Sequence, residues 1–194
     1  MSLRERVYSV LVVSTAEKLN TALVSMLPES HYDPVQIVSN VSAAKRLWSE
    51  RSFDFVIVNS PLPDGDGSRF AIDVAIGSGA AVLFLVRAEQ YNDFFEKVAE
   101  YGVFALAKPL NRPLVSICLD WLSSARERLR RLEKKAVSIE EKMEEIRIVN
   151  RAKWLLISEL NMDESQAHRY IEKQAMDRCV SRKEIAAEII KTYQ

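Results

Sequence analysis

Up to about residue 120 the chain alternates between two apolar patterns. Short β-branched runs at 7–13, 35–39, 53–58, 81–86 and 103–107 are apolar at nearly every position. Between them, 17–27, 43–50, 68–76 and 90–101 carry apolar residues at helical spacing. A strand that is apolar on both faces must be covered on both faces. Five such strands alternating with helices predict a five-stranded parallel sheet, doubly wound, in an α/β domain. Right-handed crossovers then place the working crevice at the carboxyl ends of the strands, where the strand order reverses.

After Pro113 the period changes to that of one long helix. With Leu122 at heptad position a, the a series is Leu122, Leu129, Ala136, Met143 and Asn150. The d series is Ala125, Leu132, Ile139, Ile146 and Lys153. A seam sustained this long predicts a coiled coil, with Asn150 favouring two strands and marking its end. Position g holds Arg128, Lys135 and Lys142, and e holds Arg126, Glu133, Glu140 and Arg147. A parallel pair sets Arg128 against Glu133 and Lys135 against Glu140 of the partner, so the expected assembly is a parallel homodimer. The same stripe also suits a helix folded back on its own sheet domain. The basic run at 126–135 suits a solvated stalk face or a nucleic-acid surface.

Beyond the stalk, two start signals divide the rest into helices. Asp163 with Gln166, and Ser181 with Glu184, are capping-box pairs. Ala167, Tyr170, Ile171, Ala175 and Met176 form one expected stripe, and Ile185, Ala186, Ile189 and Ile190 another. Tyr170 and Met176 are expected in the core on this pattern. With the end of the stalk they make a small all-α three-helix module. The expected division is 1–120 for the sheet domain, 121–150 for the coiled-coil linker helix and 151–194 for the output module.

Composition narrows the class. The 194 residues are 48% hydrophobic and 28% charged, with a net charge of zero, which describes a soluble globular chain. No run is long enough to span a bilayer, and the start of the chain lacks a cleavage pattern, so a cytoplasmic protein is expected. Cys118 and Cys179, the two cysteines, suit reduced thiols. No metal-ligand cluster, nucleophile–base pair or Gly-rich phosphate loop is legible, so no cofactor and no enzymatic activity are expected.

The residues at the strand ends carry a resemblance. VLVVST, FVIVNSPLPDGDG, VLFLVRAE and FALAKP are similar to the signature blocks of response-regulator receiver domains, a flavodoxin-like fold. In that family an acidic pair after the first strand holds Mg²⁺ and an Asp after the third accepts a phosphoryl group. A Thr or Ser after the fourth strand and a Lys after the fifth hold the phosphoryl oxygens. This chain has Ser14 and Thr15 at the acidic pair, Asn59 at the phosphoacceptor and Arg87 at the small hydroxyl; Lys108-Pro109 alone matches. Ala105 stands where an aromatic residue is usual. Hydroxyls are poor substitutes for the carboxylates a hard Mg²⁺ ion needs, and an amide forms no acyl phosphate. The resemblance therefore implies a pseudo-receiver with a degenerate phosphoryl pocket. Asp64 and Asp66 sit in a Pro/Gly turn, with Asp66 placed to cap the following helix. Arg87 suits either an anion or a neighbouring carboxylate.

The last 50 residues carry a second resemblance. Ala152-Lys153, Leu156, the ESQAHRY stretch, Ala175-Met176-Asp177-Arg178 and Ile185-Ala186 resemble the ANTAR output domain. The order of parts looks like the amidase-operon antiterminator regulators. That likeness implies a dimer that binds paired RNA hairpins in leader transcripts, with a ligand-sensing protein partner on the pseudo-receiver. Lys153, Arg169, Lys173, Arg178, Arg182 and Lys183 are the candidate RNA contacts, with His168 and Tyr170 as possible stackers. A DNA-binding regulator and a protein-binding adaptor are the competing readings, although neither terminal helix clusters base-reading Arg, Asn and Gln.

Overall fold

The computed structural model describes residues 6–193; Met1–Glu5, which include the charged start weighed for a leader, and Gln194 lie outside the described residues. Five parallel strands form one sheet in the order β2-β1-β3-β4-β5: β1 Tyr8–Val13, β2 Tyr32–Val38, β3 Phe55–Asn59, β4 Ala81–Arg87 and β5 Phe104–Lys108. The intervening helices are α1 Glu17–Met26, α2 Val41–Glu50, α3 Ser68–Gly77 and α4 Tyr91–Ala99, the last entered through a 3-10 turn at Ala88–Gln90. Strand order reverses between β1 and β3, which brings Ser14 and Asn59 to one crevice.

Alternation along each strand builds two cores. Leu11, Val13, Val56, Val58 and Phe84 pack under α2, α3 and α4 through Ala44, Phe70, Val74 and Val98. Val10, Val12, Phe55, Ile57 and Leu85 pack on the other face against Leu23 of α1 and Leu27 just beyond its end. The same face receives Val115, Cys118, Leu119 and Leu122 from α5, which runs without interruption from Arg112 to Leu160.

That packing corrects the seam at its start. Leu122 is 1% exposed within the sheet unit's own core, and Ala125 packs against the same cluster. Leu129 is half-buried and lines a small cavity with Tyr101 and Phe104. The first heptad is therefore covered by the chain's own sheet, and the exposed stripe begins at Leu132. Charge fixes the same stretch. Arg126 Nε and Arg130 Nη2 donate to Asp54 Oδ1 at 2.8 and 2.7 Å, while the Ser9 amide and hydroxyl donate to Oδ2. Burial alone would raise the Asp54 carboxyl, but these hydrogen bonds and the two guanidinium charges outweigh it and hold the group below its usual range. Buried Glu127 gathers Arg6, Arg130 and the Tyr8 hydroxyl beside it. The compact sheet unit accordingly extends to Leu132, beyond the end of its strand–helix pattern.

The PLPDGDG turn depends on Gly67, which has φ +79° and opens α3. A Cβ there would lie 2.7 Å from Val58 Cγ1 and 3.0 Å from Leu62 Cδ1. Gly67→Ala is expected to cost about 2 kcal/mol or more from the left-handed backbone and the clash together; urea unfolding measures it.

The second compact unit comprises residues 133–194: the remainder of α5, with α6 Glu164–Asp177 and α7 Arg182–Thr192. Both capping boxes form, at Asp163 with Gln166 and at Ser181 with Glu184. Cys179, at φ +53°, closes α6 with its amide on Met176 O and the Val180 amide on Ala175 O, a Schellman end. Ala152, Leu156, Ala167, Ile171, Ala175, Ile185, Ala186 and Ile189 form the core. Tyr170 and Met176, expected there, are instead 39% and 72% exposed. Ala167, Ile171 and Ala175 already fill the inward face of α6 at i, i+4 spacing, which turns Tyr170 and Met176 outward. Among the described residues no helix is long and apolar enough to cross a membrane.

Candidate functional site

The crevice at the carboxyl edge of the sheet is built from the ends of β1, β3, β4 and β5. Ser14, Asn59 and Ser60 are buried there because the strands that carry them are central. Asn59 Nδ2 donates to Ser14 Oγ at 3.0 Å, and Lys108 Nζ donates to Asn59 Oδ1 at 2.8 Å and to Ser60 O at 2.6 Å. Ser14 Oγ also accepts the Ala16 amide. Both ends of the Asn59 amide are thus engaged, and Lys108 is drawn onto protein acceptors.

Arg87 and Lys108 are paired across β4 and β5. Burial, and then the charge of Arg87, hold the Lys108 ammonium below its usual range. Arg87 is exposed and has no carboxylate partner among the described residues. Thr15 lines an open groove of about 600 Å³ that also includes Ser14, Glu17, Asn20, Val38 and Ser39. Of the five predicted pocket residues, Ser14, Asn59 and Lys108 are therefore joined by hydrogen bonds, Arg87 adjoins Lys108, and Thr15 lines an open groove with Ser14. The five supply two cations and no carboxylate.

The two turn aspartates are already occupied. Asp64 accepts the Val41 and Ser42 amides at 2.9 Å each, plus the Ser42 hydroxyl, and so caps α2 from another loop. The bonds from the Val41 and Ser42 amides hold its carboxyl below the usual range. Asp66 accepts the Ser68 amide at the entrance to α3, with Gly67 in the cap position itself, and pairs with Lys97. No group of three His, Cys, Asp or Glu suited to a metal occurs among the described residues. Asn59→Asp alone is expected to take up no phosphoryl group from acetyl phosphate and Mg²⁺, because Ser14 and Thr15 still supply no carboxylate for the metal. Intact-mass measurement checks this.

In the helical unit, ion pairing separates the six candidate cations into two sets. Lys153 Nζ lies 3.1 Å from Glu164, Arg178 forms a two-bond pair with Glu188, and Arg182 bridges Glu145 and Glu172 at 3.2 and 3.8 Å. His168 also meets Glu172. Arg169, Lys173 and Lys183 are exposed without a carboxylate partner among the described residues. Arg169 and Lys173 stand one turn apart on the outer face of α6, which Met176 continues and Tyr170 borders. This mixed cationic and apolar face was concealed in the sequence by assigning Tyr170 and Met176 to the core; the Ala167–Ile171–Ala175 spacing is the signal that locates it.

Comparison with known proteins agrees with both halves. The sheet unit has the receiver fold: it superposes on the receiver domain of the TMAO respiratory system response regulator TorR with a TM-score of 0.53 at 16% identity, over 59% of this chain and 95% of that one. The non-phosphorylated HemR receiver domain from Leptospira biflexa gives a TM-score of 0.52 at 25% identity, over 60% and 94%. Residues 138–190 match the ANTAR domain model, which together with the receiver-fold neighbours supports an ANTAR-containing response regulator. A relative from Mycobacterium tuberculosis, the transcriptional regulatory protein PdtaR, is 27% identical over 184 residues, covering 94% of this chain and 89% of its own length.

Proposed function

We propose that this protein is a transcription antiterminator that binds hairpin RNA as a parallel homodimer, and that a protein partner or ligand signal controls it instead of aspartyl phosphorylation. The observation that carries this reading is an ANTAR domain behind a receiver fold whose phosphoacceptor position is an amide already bonded to Ser14 and Lys108. The name of the mycobacterial relative, a transcriptional regulatory protein, supports the regulatory role. No chemistry is required of such a protein; a difference in affinity between two folds of one transcript suffices.

The unpaired Arg169 and Lys173, with Lys183, supply phosphate contacts, and exposed Tyr170 offers a face on which an unpaired base can stack. Lys153, Arg178 and Arg182 act first as structural ion-pair partners in the unit that presents this face. Dimerisation is supported by the exposed stripe of Leu132, Ile139, Met143 and Ile146 along α5. Two output units on one stalk can engage two hairpins at once, which raises affinity without new contacts.

A mobility-shift comparison tests the reading. Tandem-hairpin RNA should bind at least tenfold tighter than scrambled RNA or duplex DNA of equal length at fixed salt, with no change on adding acetyl phosphate and Mg²⁺. Equal binding to duplex DNA would transfer the protein to the DNA-binding class.

A further inference from the structure

The apolar stripe on α5 does not stop at Asn150. In the same heptad register the next seam positions are Ile157, half-buried at the edge of its own unit's core, and the exposed Leu160, so the apolar pattern continues to the end of the helix. Lys153 interrupts it at position d, but its ammonium turns aside to Glu164 and leaves only the aliphatic stem on the seam. Trp154 occupies the adjoining e position and is 71% exposed, with no aromatic partner among the described residues. Tryptophan is among the residues most enriched at the energetic centres of interfaces.

The other flank of the seam carries a receptacle. Along the seam and g side of α5, against α6 and the start of α7, lies a groove of about 420 Å³. Ile146 and Val149 are its apolar walls, and Lys142, Glu145, Asn150, Lys153, His168 and Arg182 line the rest. In a parallel two-stranded pair, an e side chain meets the g position of the preceding heptad on the partner. That relation sets Arg128 against Glu133 and Lys135 against Glu140. Applied to Trp154 it selects Val149, which is a wall of the groove.

We propose that Trp154 of each protomer seats in this groove on the other, so that the dimer interface continues through the ANTAR unit and holds the two output units as a symmetric pair. The inference rests on the parallel homodimer proposed above. Reciprocity makes the effect count twice per dimer. Arg182, held in place by Glu145 and Glu172, presents a cationic edge to the seated ring. Covering by an unpaired RNA base is the rival occupant. The heptad phase of Trp154, which sets it against Val149 of a parallel partner, favours a second copy of this chain.

The test uses the full chain in sedimentation equilibrium, comparing wild type with Trp154→Ala, Trp154→Phe and Ile139→Asp. Hairpin-RNA binding is measured at protein concentrations where each variant is dimeric. Trp154→Ala should weaken dimerisation at least tenfold, Trp154→Phe should recover most of the loss, and RNA affinity of the dimeric Trp154→Ala protein should match wild type. Because the indole touches little of its own chain, helicity by circular dichroism should not change. Dimerisation of Trp154→Ala equal to wild type, with Ile139→Asp dissociated, removes the Trp154 contact and leaves the parallel dimer standing. Wild-type dimerisation by Trp154→Ala combined with lost RNA affinity assigns the indole to a base and overturns the inference. A monomeric wild type, or an Ile139→Asp protein that dimerises normally, overturns the dimer and this contact together.

Discussion

Ile139→Asp should dissociate the dimer and cost most of the RNA affinity. Ile139 is half-exposed in its own chain, so the substitution leaves the cores of both units untouched. In a parallel pair it places two like charges at one apolar layer, where they repel and both must be dehydrated. The dimer dissociation constant should rise at least about 100-fold, equivalent to roughly 3 kcal/mol. Each output unit then meets its hairpin alone, and the gain from two linked contacts, on the order of 10²-fold, disappears. Sedimentation equilibrium and a titration with tandem-hairpin RNA measure the two effects. A single-hairpin RNA serves as control and should lose little.

The second large effect belongs to the sheet unit. Asp54→Ala removes the acceptor that Arg126 and Arg130 share and leaves the largely buried cluster of charges around them with an excess of positive charge. Breaking such a cluster from one side is expected to cost about 3 kcal/mol. The pH dependence follows from the lowered Asp54 carboxyl. Its unfolded counterpart titrates near pH ~4, so the native state binds fewer protons there. The stabilisation is complete above that value and is lost as the pH falls through the folded value. Urea midpoints followed downward from pH ~5 should fall less steeply for Asp54→Asn than for wild type. An identical slope in the two proteins would mean that Asp54 is not paired in solution.

The parts of the fold legible in the sequence are those dictated by local pattern. The continuous apolar runs of β3 and β4 have one explanation, burial on both faces, and the strands lie where those runs do. The capping boxes at Asp163 and Ser181 need only residues three apart, and both form. Features that depend on distant partners were not legible. The seam at Leu122 shows which side of α5 is apolar but not what covers it, and the cover there is the chain's own sheet. The role of Arg126 and Arg130 depends on Asp54, more than 70 residues earlier. Asp64 lies in a turn whose composition explains itself, yet its carboxylate caps α2, whose first residues lie 22 and 23 positions before it.

The candidate sites divide in the same way. The replacements at Ser14, Thr15, Asn59 and Arg87 are visible as residue types, and their chemistry follows directly. The hydrogen bonds that occupy Asn59 and draw in Lys108 are a property of the folded crevice. In the helical unit, residue type identifies six cations, but only the packed structure separates Arg169, Lys173 and Lys183 from the three held by Glu145, Glu164, Glu172 and Glu188. Trp154 lies beyond Asn150, the residue that marks the stalk's end in the heptad pattern; the same register carried one heptad further places it at e.

Transcription in vitro through a terminator preceded by tandem hairpins tests the whole mechanism at once. Wild-type protein should raise read-through in proportion to dimer, acetyl phosphate with Mg²⁺ should leave the effect unchanged, and Arg169→Ala with Lys173→Ala should abolish it. Read-through that ignores the protein, or that appears only with the phosphoryl donor, would contradict the proposed mechanism.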